Sequence, residues 1–190
     1  MLLSRGSYEH MKKNVLFIQG GGAGAYEADK KLAASLQKLL GSEYEVICPR
    51  MPNEEDPEYQ IYKTEIAKEF AALAGPLALV GHSVGGTILL RYLTEEKVEK
   101  SIAGIFLVAA PYWGAEEWLD EQKLYKKLAS RSANTPPIFF YHSRDDNVVP
   151  FEHLAMYAAK LPRATIHTYD GRGHQFRNDL SDIAADILSL

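Results

Sequence analysis

Leu77-Ala78-Leu79-Val80-Gly81-His82-Ser83-Val84-Gly85-Gly86, continued by Thr87–Leu93, decides the architecture of this chain. Four consecutive apolar residues read as a strand buried on both faces, and the segment after the glycines is apolar on most sides, as a buried helix is. Between them lies Gly81-x-Ser83-x-Gly85. A serine at such a junction occupies a sharp, strained turn that lifts its hydroxyl above the sheet, and the flanking glycines let strand and helix approach without a Cβ clash. Short matches built from small residues arise by chance, and a serine also caps helices. Here strand, turn and helix agree, and that agreement makes Ser83 a nucleophile position.

Five more apolar runs flank this unit: Val15–Ile18, Tyr44–Cys48, Ile102–Val108, Ile138–Tyr141 and Thr165–Tyr169. Amphipathic helical segments separate most of them. Tyr26–Leu40 carries an apolar face of Leu32, Leu36, Leu39 and Leu40, with Gly41 as its stop. The next helix reads as capped by Asp56, with Pro57 at its first position and Tyr59, Tyr62, Ile66, Phe70 and Leu73 as its face. Leu180, Ile183, Ala184, Ile187 and Leu188 mark a last helix. Strands and helices in alternation imply right-handed crossovers, hence a three-layer α/β/α sandwich around a mainly parallel sheet of about six strands. Residues 1–12 read as a flexible leader and 13–190 as one domain. Gly114–Pro137 breaks the rhythm and is long enough for a helix over the sheet edge or a small lid within 114–136. The acidic stretch Glu54–Glu58 reads as a solvated loop and helix start.

A lone serine is a poor nucleophile at neutral pH and needs a base held in the right tautomer. On this kind of elbow the chain order is serine, then acid, then histidine, each following a strand. Ile138–Tyr141 leads into His142-Ser143-Arg144-Asp145-Asp146-Asn147-Val148-Val149-Pro150, and Thr165–Tyr169 into Asp170-Gly171-Arg172-Gly173-His174. Both positions are filled in order, with Asp145 and Asp146 each available as the acid. The oxyanion formed in acyl transfer needs N–H donors, one from Val84 after the nucleophile and one from the loop after the first strand, Gln19-Gly20-Gly21-Gly22-Ala23-Gly24.

GHSVGG, the D-x-x-V-P sequence from Asp146, and the late Gly-His followed by an aromatic together resemble the α/β-hydrolase superfamily. Within it the chain is similar to the small serine hydrolases of the YdeN and retinoblastoma-binding group, in its brevity, in Arg50-Met51-Pro52 after the second strand and in the spacing of the motifs. The resemblance covers the chain from Lys13 onward. It implies a minimal α/β-hydrolase fold with Ser83 as nucleophile, Asp146 as acid and His174 as base, and makes Asp145 a turn-forming neighbour and His82 structural. The glycine loop is similar to the His-Gly-Gly-Gly loops of esterases, with Gln19 in place of the histidine, which points to Gly21 as the second oxyanion donor, then Gly22. The implied reaction is carboxylesterase-type cleavage of an ester-like bond in a small or medium apolar substrate, with thioester or amide as variants. Tyr112, Trp113, Trp118 and Phe176 are candidates to line the acyl site; packing a lid against the core is the competing role for these aromatics.

Composition bounds the alternatives. The chain has 190 residues, 46% of them hydrophobic, a net charge of −4 and a pI near 5.9, which argues against nucleic acid or an anionic membrane surface as partner. Its longest apolar run is too short to span a bilayer. A single cysteine, Cys48, allows neither an internal disulfide nor a zinc cluster, and with a polar N-terminus it suggests the cytoplasm. His10, His142, His153 and His167 lack metal-ligand spacing and read as surface or packing residues. No metal or organic cofactor is expected. Two rivals stand: a non-catalytic interaction module on the same scaffold, and dinucleotide binding through Gly20-x-Gly22-x-x-Ala25 with Arg50 near a 2′-phosphate.

Overall fold

A computed structural model describes residues 12–130 and 135–190. The leader read over 1–12 therefore lies outside the described residues except for Lys12, as does His10. Six strands, β1 (Lys13–Ile18), β2 (Tyr44–Ile47), β3 (Leu77–His82), β4 (Ile102–Val108), β5 (Ile138–Ser143) and β6 (Thr165–Tyr169), form one sheet in the order β2-β1-β3-β4-β5-β6. Every neighbouring pair is parallel. The helices are α1 (Ala25–Leu40), α2 (Tyr59–Ala72), α3 (Val84–Glu95), α4 (Ala115–Trp118), α5 (Glu121–Ala129), α6 (Glu152–Lys160) and α7 (Ser181–Leu188).

Side chains alternate across a strand, so each apolar run feeds two cores. Val15, Phe17, Ala78, Val80, Phe106 and Val108 pack under α1 and α7 through Leu32, Leu36, Ile183 and Ile187. Leu16, Ile18, Leu77, Leu79, Ile105 and Leu107 pack on the other face against Tyr62, Ile66 and Phe70 of α2, Leu89 and Leu93 of α3, Leu124 and Leu128 of α5, and Leu154 and Tyr157 of α6. This produces the three-layer sandwich. The described part of 114–136 joins the second core: α5 buries Leu124, Tyr125 and Leu128, and Asp120 caps it by accepting from the Lys123 N–H.

Three local expectations are corrected. Leu39 and Leu188 are exposed rather than part of their helices' buried stripes, because the stripe of α1 runs through Leu32, Ala33, Leu36 and Leu40 and that of α7 through Ile183, Ala184 and Ile187. Helix α2 starts at Tyr59 with Glu58 as its cap, not at Pro57. The Pro57 ring is used elsewhere: a Cβ on Gly21 would lie 2.4 Å from Pro57 Cγ, so the ring sits against the glycine loop. The stretch from Glu54 is not uniformly solvated, since the Glu54 side chain is largely buried and bonded, as described next.

Candidate active site

The carboxyl ends of β1, β3, β5 and β6 bring the chemistry-bearing loops together, at the end of an open parallel sheet where ligands bind. Ser83 follows β3 with φ 51° and ψ −135°, a positive φ that a non-glycine residue adopts at some cost. Its neighbours permit the turn. A Cβ on Gly85 would fall 2.0 Å from the Gln19 carbonyl oxygen, and one on Gly81 would fall 2.5 Å from Gly86 Cα. Strand, loop and helix thus touch backbone to backbone beneath the serine.

His174 Nδ1 donates to Asp146 Oδ2 at 2.8 Å. The Asp146 side chain is fully buried, and its Oδ1 accepts the N–H groups of Val148 and Val149, both at 2.9 Å. Burial would raise this carboxyl, but the hydrogen bonds from His174 and from the two backbone amides outweigh it and hold the pKa below the ordinary aspartate value. With its Nδ1 proton committed to Asp146, the imidazole keeps the Nε2 lone pair free. Asp145 turns the other way: its Oδ1 accepts from Ser143 Oγ and from the Gly173 N–H at 3.1 Å, bracing the β5 loop against the loop that carries His174. His142 is buried rather than at the surface; its Nε2 donates to the Val149 carbonyl at 3.0 Å, and burial lowers its pKa.

The glycine loop is held by carboxylates. Gly20 N–H donates to Asp29 Oδ2 at 2.7 Å, Gly22 N–H donates to the Glu54 carbonyl, and Tyr26 N–H donates to Glu54 Oε2 at 2.7 Å. Gln19 is buried. Its Nε2 donates to Glu54 Oε2 and its Oε1 accepts the Met51 N–H, so the glutamine ties the glycine loop to the segment after β2. Among the described residues the Gly21 N–H has no partner, and neither has that of Val84, which opens α3 and so lacks an intrahelical acceptor. Gly20, Gly21, Ser83 and His174 line one shallow cleft of about 80 Å³, and Asp29, His82 and Gln175 complete its wall.

These bonds remove the basis for a dinucleotide site. Two of the loop amides that would cradle phosphate are taken, Asp29 and Glu54 put negative charge beside the loop, and Arg50 is paired with Glu54 at 3.1 Å and stacked on Tyr26. Among the described residues no cluster of His, Cys, Asp and Glu is placed to hold a metal ion, and no helix is long and apolar enough to cross a membrane. Burial pushes the Cys48 thiol up to about 12, which leaves it no thiolate at neutral pH.

The aromatic candidates divide. Phe176 is completely buried, edge-on to Tyr169 in the core under α1 and α7, and does not reach the cleft. Phe176, Arg177 and Asn178 all adopt positive φ, 47°, 51° and 56°, so the chain makes a left-handed turn where Phe176 enters the core. Tyr112 and Trp113 line a second hollow of about 270 Å³ with Glu116, His153 and Met156, while Trp118 packs partly buried against the core at the end of α4. Tyr112 N–H donates to His153 Nδ1 at 2.8 Å. A larger apolar hollow of about 370 Å³, lined by Asn14, Ala78 and Leu190, lies at the opposite end of the strands from Ser83.

Residue-level reading missed Asp29 and Gln175. Asp29 is buried and accepts from His82 Nδ1 at 2.9 Å and from Gln175 Nε2 at 2.7 Å. Its signal was present: Asp29 stands three and four residues before Leu32 and Ala33, so it continues the apolar stripe of α1 as an acid in a core position. Gln175 carries no such signal, because its role depends on where the β6 loop falls in space.

Comparison with known proteins agrees with this geometry. A family model described as serine hydrolase matches residues 33–178. Compared by sequence with curated proteins, the chain has no significant match. Among solved structures, the ydeN gene product of B. subtilis superposes with a TM-score of 0.66 at 20% identity, covering 94% of this chain and 100% of that one. SOBER1 of Arabidopsis thaliana gives 0.68 at 17% identity over 94% and 99% of the two chains. Est1E of Butyrivibrio proteoclasticus with bound ferulic acid gives 0.65 at 14% identity, over 97% and 90%.

Proposed function

Given that the chain belongs to the serine hydrolase family, we propose that it cleaves an ester-like bond of a small or medium apolar substrate through an acyl-enzyme. One observation carries the reading: Ser83, on its positive-φ turn, shares a cleft with a histidine already bonded to a buried carboxylate and with an unpartnered loop amide. Ser83 Oγ attacks the carbonyl carbon while His174 Nε2 takes its proton. Asp146 keeps the imidazole in the required tautomer and stabilises the imidazolium. The N–H groups of Gly21 and Val84 receive the oxyanion, a donor of this kind being worth about 2.7–4 kcal/mol where one has been removed. His174 then protonates the leaving group, and water, deprotonated by the same imidazole, releases the acyl group.

The cleft at Ser83 suits a short acyl group. Thr87 Oγ1 donates to the Pro111 carbonyl, which ties the first turns of α3 to the stretch leading into Tyr112 and Trp113. Their hollow is where we place the apolar remainder of the substrate. The ferulic acid held by the Butyrivibrio protein argues for including aryl-acyl esters among the substrates assayed.

A fluorophosphonate probe tests the assignment. Folded protein is expected to become covalently labelled, and Ser83→Ala is expected to remain unlabelled. Equal labelling of both, or none of the wild type, would favour a non-catalytic interaction module. A panel of p-nitrophenyl esters of graded acyl length then reads pocket depth, with a maximum at short chains expected.

A further inference from the structure

Beneath the site lies a second aspartate–histidine pair that the proposed reaction does not use. His82, the residue before the nucleophile, is almost fully buried, and both its ring nitrogens are engaged: Nδ1 with the Asp29 carboxylate at 2.9 Å and Nε2 with the His174 carbonyl oxygen at 3.1 Å. A carbonyl oxygen only accepts, and Asp29 already accepts from Gly20 N–H and Gln175 Nε2. Both nitrogens of His82 therefore donate, which makes it an imidazolium, unable to serve as a base. Burial opposes that charge, but the carboxylate of Asp29 outweighs it and holds the His82 pKa above the ordinary histidine value.

A buried ion pair is weak evidence of a stability role, since desolvation offsets most of its attraction. Its connections are more informative. Asp29 meets the backbone of the oxyanion loop at Gly20, the elbow at His82 and the base loop at Gln175, while His82 reaches the carbonyl of His174 itself. The Tyr62 hydroxyl fastens the same loop by donating to the Gly20 carbonyl at 3.1 Å. Three loops from three different strands thus converge on one carboxylate.

We propose that Asp29 is a positioning residue for the hydrolytic reaction, holding the oxyanion loop, the elbow and the His174 loop in mutual register through the His82 imidazolium. This rests on the reading of Ser83 as nucleophile. A misplacement near 1 Å costs on the order of 10²-fold in rate, and the reacting atoms shift while the Tyr112–Trp113 hollow assigned to the bulk of the substrate, whose lining does not include Asp29, stays in place. Asp29→Asn should therefore lower kcat about 10²-fold with KM nearly unchanged. Affinity for an arylboronic acid, which forms a tetrahedral adduct on Ser83, should weaken by the same factor, because the adduct needs the oxyanion donors in place.

Rates are to be normalised to folded sites by circular dichroism and thermal unfolding, so that simple loss of folded protein does not register. An Asp29→Asn protein whose kcat per folded site stays within threefold of wild type, or whose losses appear in KM alone, overturns the proposal. Should Asp29→Asn fail to fold, Gln175→Met decides: it removes one arm of the carboxylate at a half-exposed residue. A fall in kcat with unchanged KM supports the proposal, and an unchanged kcat overturns it. Wild type that neither hydrolyses esters nor labels with fluorophosphonate overturns the nucleophile reading itself, and this proposal with it. Active wild type with indifferent variants overturns the positioning role alone.

Discussion

Asp146→Asn is the sharpest test of the proposed mechanism, because the structure dictates which way the new amide must face. Oδ1 accepts two backbone amides, from Val148 and Val149, that have no freedom to turn away. The amide oxygen is therefore held on that side, and the NH₂ takes the place of Oδ2. There it meets His174 Nδ1 at 2.8 Å and His142 Nε2, whose proton points to the Val149 carbonyl, at 3.4 Å. A donor facing Nδ1 drives the His174 proton to Nε2, the atom that must receive the serine proton. The same change in the serine-protease triad lowers kcat about 10⁴-fold, equivalent to about 5 kcal/mol of barrier at roughly 1.36 kcal/mol per tenfold. The expected result is a kcat reduced by about this factor on p-nitrophenyl butyrate, with KM little changed and the fold retained. Asp145→Asn, altering an exposed loop brace, should leave kcat within about tenfold. A near-normal rate in Asp146→Asn, or a collapse in Asp145→Asn alone, would refute the reasoning.

Further outcomes follow from backbone strain and from titration. Ser83→Gly should abolish activity yet stabilise the fold: relief of a strained φ is worth about 1–3 kcal/mol, offset by about 0.5–1 kcal/mol for glycine's extra freedom when unfolded. A net gain of about 1 kcal/mol, near the middle of these ranges, raises Tm by about 2–4 °C for a chain of this size, and a lower Tm by calorimetry would show the turn to be unstrained. His82 is held above its ordinary value, so its contribution to stability is complete below the unfolded histidine value of about 6.5 and lost as pH rises through the folded one. Asp29 is held below its ordinary value, burial opposing and the charge of His82 prevailing, so its own contribution is lost as pH falls through that lowered pKa. Urea unfolding of wild type and Asp29→Asn between pH 5 and 9 should therefore show a stability gap that is widest at the acid end and narrows with rising pH. A gap independent of pH would mean that His82 is not charged in the fold.

Much of this protein is written locally. Ile102–Val108 and Thr165–Tyr169 are strands with the bounds read from their apolar runs, and an aspartate and the late histidine picked out by their order along the chain are hydrogen-bonded to each other. Such features are legible because alternation across a strand, spacing along a helix and glycine at a tight turn are properties of neighbours in sequence. They determined the fold and the loop positions of Ser83 and His174, on which the proposed mechanism rests. Tertiary structure decided the rest, for the reason that a buried polar group must find its partner through space. It directed Asp146 rather than Asp145 to His174, sent Phe176 into the core and drew Glu54 out of an acidic run to hold the glycine loop. It also joined Asp29 to Gln175, 146 positions apart in the chain, beside the loops that carry Ser83 and His174.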